Sequence, residues 1–143
     1  EDGPRQSETV KSFITYTSQV IDSAHKHYLN NNPERELRTC LWGFSQGGAA
    51  SLTYTLLGKH SLFKVASICG FLPELQDLVI EKKEPLRILG IFGSNDEVVP
   101  SFLADHALDE MKSHGHLVKS KETTQSHEVN SENLQDLCDF FNS

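Results

Sequence analysis

The sequence predicts an α/β domain in which helices cover both faces of a mostly parallel sheet. Three observations carry this prediction. Apolar runs of strand length alternate with helical patterns of about 10–15 residues, the rhythm of strands joined by helical crossovers. One of those runs, residues 86–92, is apolar almost throughout, as a strand buried on both faces should be. Finally, Gly43-x-Ser45-x-Gly47 lies between a strand pattern and a helix pattern and fits a nucleophile elbow, a sharp turn that holds a serine hydroxyl above a sheet. The glycines have a steric reason to be there, because side chains two positions either side of a strained serine would meet the neighbouring strand and helix.

Taken in order, residues 7–29 carry Val10, Phe13, Ile14, Ile21, Ala24 and Tyr28 at helical spacing, with Ser7 as cap and Glu8 in the first turn. Asn30-Asn31-Asn32-Pro33 ends that helix, since asparagine tolerates left-handed geometry and proline cannot continue the ladder. Residues 37–42 form a short strand running into the elbow. Residues 46–57 are helical, with Ala49, Ala50, Leu52, Thr53, Leu56 and Leu57 inward and Gly58 as the stop. A second strand, 63–69, closes at Gly70 and Pro73, and 86–92 is the third. Pro100-Ser101 opens a helix to His114 with Leu103, Ala107, Leu108 and Met111 inward. Residues 117–122 are a more polar strand near a sheet edge. Asn130 or Ser131 caps the last helix, where Leu134, Leu137, Cys138 and Phe141 fall at i, i+3, i+4 and i+7 as one stripe. No repeat, low-complexity segment or linker divides the chain, so residues 1–143 read as one domain.

Bulk properties narrow the function. A chain of 143 residues can bury a substantial core, and 37% hydrophobic with 23% charged residues is an ordinary globular composition. A formal net charge of −7 argues against nucleic-acid partners and against adhesion to anionic lipid. No run approaches the ~18 apolar residues of a membrane span. The start, Glu1-Asp2-Gly3-Pro4-Arg5, has neither a methionine nor the apolar core of a signal peptide, and reads as a cut inside a longer chain. Cys40, Cys69 and Cys138 are an odd number without CxxC spacing, each in an apolar run. Buried free thiols in a reducing compartment are the expectation, and with them a cytoplasmic location.

In open parallel sheets the functional loops lie at the carboxyl ends of the strands. Ser45 follows the first strand, Asp96 follows the third in Gly93-Ser94-Asn95-Asp96, and His127 follows the fourth in Gln125-Ser126-His127. Their chain order, Ser then Asp then His, is one of the known orders for a serine nucleophile with its acid and base. The chemistry needs these three types. A serine hydroxyl attacks poorly until a neutral imidazole takes its proton, and a carboxylate on the far imidazole nitrogen fixes the tautomer. The backbone N–H of Gln46, at a helix start, would face the oxyanion. Each residue also has a plainer reading: Ser45 as a helix cap, Asp96 as a turn-former with Glu97 its nearest competitor, and His127 as a loop histidine. His25, His27, His60, His106, His114 and His116 are expected on the surface. The His25/His27 and His114/His116 pairs do not make a metal site, because positions i and i+2 of a helix face apart and no Cys or carboxylate completes a set.

Gly43-Phe44-Ser45-Gln46-Gly47-Gly48-Ala49 resembles the elbow of the acyl-protein thioesterase and carboxylesterase family of α/β hydrolases. The resemblance continues through Cys69-Gly70-Phe71-Leu72-Pro73, the stretch Gly93-Ser94-Asn95-Asp96-Glu97-Val98-Val99-Pro100, Ser126-His127-Glu128, and Glu132-Asn133-Leu134. It implies an α/β-hydrolase-like three-layer sandwich, with Ser45, Asp96 and His127 as nucleophile, acid and base and Gln46 as an oxyanion donor. It implies hydrolysis of carboxylic esters or thioesters, S-acylated proteins and lysophospholipids included, without a cofactor. Phe71 and Leu72 lie where the family often borders its acyl pocket; plain core packing is the other reading of both. Phe92 stands where the family usually has histidine.

The chain matches roughly the C-terminal two-thirds of the family domain. The family's first strands, and the His-Gly-x-Gly-type loop that supplies a second oxyanion donor, have no counterpart in the sequence. The strand at 37–42 would then present unpaired backbone groups, which invites a homo-oligomer through that edge. Two readings follow: a serine esterase or thioesterase whose missing part comes from elsewhere, or a catalytically weak or inactive hydrolase-fold fragment that serves as a binding module.

Overall fold

A computed structural model of the chain describes residues 3–75 and 78–143, with side chains from Glu8 onward. Its elements run α1 (Gly3–Asn31), β1 (Cys40–Phe44), α2 (Gln46–Leu57), β2 (Lys64–Ile68), β3 (Arg87–Gly93), α3 (Ser101–Ser113), β4 (Leu117–Thr123) and α4 (Ser131–Phe141). The four strands form one parallel sheet in the order β1-β2-β3-β4. Parallel strands place all their carboxyl ends along one edge, so the loops after β1, β3 and β4 converge there.

Side chains alternate across the sheet, and each face has its own core. Val65, Ile88 and Phe92 point to the face covered by α2 and α3, where they meet Leu52, Leu56, Ala107, Leu108 and Met111. Ala66, Ile68, Leu89 and Ile91 point to the opposite face, against Leu137 and Phe140 of α4. The registers Val65↔Ile88, Ala66↔Leu89 and Ile68↔Ile91 keep like with like across the ladder. Helix α1 stacks on α2, so α2 is buried nearly all round. The result is the layered α/β fold that the alternating pattern predicts.

Several sequence expectations are corrected. Helix α1 begins at Gly3, so Ser7 sits inside it rather than at its cap; the missing N–H of Pro4 is harmless in a first turn. β1 begins at Cys40 rather than at Leu37, because its partner β2 starts at Lys64 opposite Cys40. The inward stripe of α4 is Asn133, Leu137 and Phe140, while Leu134 and Cys138 face outward. Only Cys69 of the three free cysteines is buried; Cys40 lies on the uncovered edge strand and Cys138 on the outer face of α4. Among the described residues β1 pairs on one side only, and Trp42 within it is 48% exposed.

His116 is not a surface group. It is buried, and its Nδ1 accepts the Leu86 backbone N–H at 3.2 Å. Burial, then the neighbouring His114 and Lys83, lowers its pKa below the ordinary 6.5. Because the folded value is depressed, the native chain resists a proton that the unfolded chain accepts. Stability is therefore unaffected above about pH 6.5 and declines as the pH falls from there through the folded value. The denaturation midpoint should drop between about pH 7.5 and 5.5, and drop less in His116→Asn, whose amide oxygen can take the same N–H. Equal losses in both chains would show that His116 is not the source.

Candidate active site

The site begins with a steric constraint on β1. A Cβ on Gly43 would lie 2.1 Å from the backbone C and O of Gly47, so only glycine lets the chain turn from β1 into α2. The serine between them takes up the strain: Ser45 has φ 57° and ψ −116°, with its N–H on Ile68 O at 2.9 Å and its C=O receiving Ala49 N at 3.0 Å. The sequence expectation is corrected at the other glycine. A Cβ on Gly47 would meet nothing within 4 Å, whereas one on Gly48 would meet Ser67 Oγ at 2.6 Å. Close packing lies on the sheet side of the turn, and Gly47 faces open space.

Gln46 is the first residue of α2, directly after Ser45, so its backbone N–H has no acceptor within the helix. Asp96 follows β3. Its Oδ1 accepts the N–H groups of Val98 and Val99, each at 2.8 Å, and its Oδ2 lies 2.8 Å from His127 Nδ1. The Asp96 side chain is 1% exposed. Burial by itself raises its pKa and is the largest single influence. The hydrogen bonds from His127, Val99 and Val98 together outweigh it, and the carboxyl sits below its ordinary 3.8. Glu97, the competing acid, is exposed.

His127 follows β4, with Nε2 3.0 Å from Ser45 Oγ and its ring 4.7 Å from that of Phe44, on which it rests. An ionised carboxylate only accepts, so Nδ1 carries the proton and the Nε2 lone pair faces the serine hydroxyl. The structure thus brings Ser45, His127 and Asp96 into one hydrogen-bonded line. That line can take a proton from a hydroxyl as the hydroxyl attacks an electrophile.

Cys69 sits behind the acid, fully buried and in a left-handed conformation at φ 51°. Burial pushes its thiol up to about 11, so it stays protonated at neutral pH. Its Sγ, Asp96 and His127 form a group whose donor atoms lie within 4.8 Å of one another; the Asp96 and His127 atoms in it already face each other. The two His-x-His pairs are not drawn into any such group among the described residues.

A groove of about 500 Å³ opens beside the elbow, lined by Val10, Phe13, Gln46, Gly47, Ala50 and Phe71 among others. Phe71 thus borders it, whereas Leu72 packs on the core under α2 and α3. The roles of Phe44 and of α1 as a groove wall are not legible in the sequence pattern. A larger cavity of about 640 Å³ lies between α1 and β1, away from Ser45, His127 and Asp96.

A parallel sheet flanked by helices, turning from its first described strand into a serine-bearing elbow, has the fold of the α/β hydrolases. The chain belongs to the phospholipase/carboxylesterase family of that fold, whose family model matches residues 1–143. No curated protein sequence matches it significantly. Among solved structures it is similar to SOBER1 of Arabidopsis thaliana, with a TM-score of 0.78 at 21% identity over 95% of this chain and 64% of that one. It is also similar to a Bacillus cereus carboxylesterase (TM-score 0.72, 8% identity, 90% of this chain and 60% of that one). Acyl-protein thioesterase 2 of Zea mays aligns with a TM-score of 0.60 at 20% identity, over 87% of this chain and 64% of that one. At such identities the likeness is one of fold. The chain spans less than two-thirds of the length of these structures. No helix among the described residues is long and apolar enough to cross a membrane.

Proposed function

We propose that this chain carries the acyl-transfer centre of a serine esterase or thioesterase. The observation that supports it best is the continuous line from Ser45 Oγ through His127 to Asp96, at 3.0 and 2.8 Å. In this reading His127 Nε2 takes the hydroxyl proton as Ser45 Oγ bonds to the ester or thioester carbonyl carbon. The carbonyl oxygen becomes an oxyanion facing the Gln46 N–H at the start of α2. Collapse expels the alcohol or thiol with the proton returned from the imidazolium, leaving an acyl-serine. Water, deprotonated by the same nitrogen, then releases the acid and frees Ser45. Asp96 holds the ring in its working tautomer and steadies its positive charge. The mostly apolar groove past Phe71 and Phe13 suits the hydrocarbon tail of the acyl group. Three unpaired cysteines fit a reducing, cytoplasmic setting.

A second reading is a weak or inactive module that keeps the fold to bind. It is favoured by β1, which among the described residues pairs on one side only and leaves Trp42 48% exposed, an edge open to a partner strand. Labelling separates the two readings. A fluorophosphonate probe should modify Ser45 in the folded chain and leave Ser45→Ala unmodified. Folded protein without an adduct, together with p-nitrophenyl butyrate hydrolysis equal in both chains, would sink the enzyme reading and leave the binding module.

A further inference from the structure

His127 lies in an irregular loop between an edge strand and α4, yet it must hold two hydrogen bonds in line. We infer that Gln125 and Asn133 are positioning residues that clamp this loop and thereby set the base against the nucleophile; this rests on the catalytic reading of Ser45, His127 and Asp96. Gln125 is 7% exposed and Asn133 0%, and their amides pair face to face. Gln125 Nε2 donates to Asn133 Oδ1 at 2.8 Å, and Asn133 Nδ2 donates back to Gln125 Oε1 at 3.0 Å.

Each amide uses its remaining capacity to tie down a different part of the loop. Gln125 Nε2 also donates to Glu128 O at 2.8 Å, closing a ring around Ser126 and His127. Gln125 Oε1 accepts Thr123 Oγ1 at 2.7 Å, anchoring that ring to the end of β4. Asn133 Oδ1 accepts the Asn130 N–H at 3.1 Å while Asn130 Oδ1 accepts the Asn133 N–H at 2.8 Å, so the pair is fused to the cap of α4. Outside the amides, the Gln125 backbone carbonyl accepts the Asn95 N–H at 3.3 Å, and Asn95 Nδ2 donates to the Thr124 backbone carbonyl at 2.6 Å. Those two bonds join the loop of the base to the loop of the acid.

The cost of this arrangement argues that it is more than packing. Two buried amides are expensive unless every donor and acceptor is met, and an apolar pair would fill the space at no such risk. Apolar residues, however, could not reach the Glu128 carbonyl or the Asn130 N–H. What the polar pair adds is direction, and catalysis is sensitive to it. A displacement of about 1 Å in a positioned group can cost on the order of 10² in rate.

The test compares wild type with Gln125→Leu and with the double variant Gln125→Met/Asn133→Leu. The double variant orphans no amide of the pair and should fold even where the single one does not. Met111→Ala, in the core beneath α3, serves as a control for lost stability. The first readout needs no turnover: the downfield proton NMR signal of His127 Nδ1–H, held on Asp96, should be sharp in wild type and Met111→Ala. It should be lost or exchange-broadened in the clamp variants. In the second, kcat for a p-nitrophenyl ester should fall about 10- to 100-fold in the clamp variants with KM changed less than about threefold. A preserved signal in the double variant, or an equal loss of kcat in Met111→Ala, would overturn the clamp. If wild type neither turns over nor labels at Ser45, the catalytic reading fails, and the NMR signal still decides whether Gln125 and Asn133 position His127.

Discussion

Ser45→Ala should lower kcat for a p-nitrophenyl ester by about 10⁴–10⁶, and adding His127→Ala to it should cost almost nothing more. The size of the first effect follows from covalent chemistry. Without Oγ no acyl-enzyme forms, and only binding and the Gln46 N–H remain to help a water molecule attack. The absence of a second effect follows from the geometry. In the proposed mechanism His127 Nε2 acts on the Ser45 hydroxyl, 3.0 Å away, and then on the water that opens the acyl-serine, so it has little left to do where no acyl-serine can form. Asp96→Asn should act through the same path. An asparagine amide can present N–H to Nδ1, which favours the wrong tautomer, and a loss near 10⁴ in kcat is expected with the fold intact. Steady-state kinetics on the three single variants and the Ser45/His127 double variant decide the matter. Losses below about tenfold, or additive losses in the double variant, would mean that the three residues do not act as a unit.

Gly43→Ala should destabilise the chain by about 3 kcal/mol or more, whereas Gly47→Ala should leave stability within about 0.5 kcal/mol. The two glycines look equivalent in a Gly-x-Ser-x-Gly pattern. In the fold they are not. A methyl on Gly43 meets the backbone of Gly47 at 2.1 Å and Gly48 N at 2.7 Å, and neither backbone can rotate away as a side chain could. Relief would require α2 to lift from β1, which would also move Ser45. A methyl on Gly47 enters open space at the groove, so its effect should fall on substrate binding. Chemical denaturation of both variants is the measurement. Equal stability losses would show that the elbow packs differently from this geometry.

Much of the site is legible in consecutive residues. Ser45, Asp96 and His127 stand out because each follows a strand pattern, and parallel strands must bring those ends to one edge. Asn130 and Ser131 both read as caps of the last helix, and the structure takes Asn130, whose side chain accepts the Asn133 N–H. The errors have a common cause. Leu134 and Cys138 make a good apolar stripe on paper, yet α4 turns Asn133 inward instead, because Gln125 waits there with a matching amide. His116 reads as a surface histidine and is buried, because the Leu86 N–H supplies a partner thirty residues away in sequence. Cys40 reads as buried and is exposed, because no described strand covers its side of β1.

The sequence by itself determined the layered α/β architecture, the parallel direction of the strands, and the strand–turn–helix at Ser45. These depend on periodicity and on local sterics, which neighbouring residues carry between them. Only the tertiary structure decided which face of α4 is inward, which elbow glycine is indispensable, and how His127 is held on its line. Each of those turns on whether a polar or bulky group meets a partner from a distant segment, and a burial cost is met or left unmet only where the chain returns to itself.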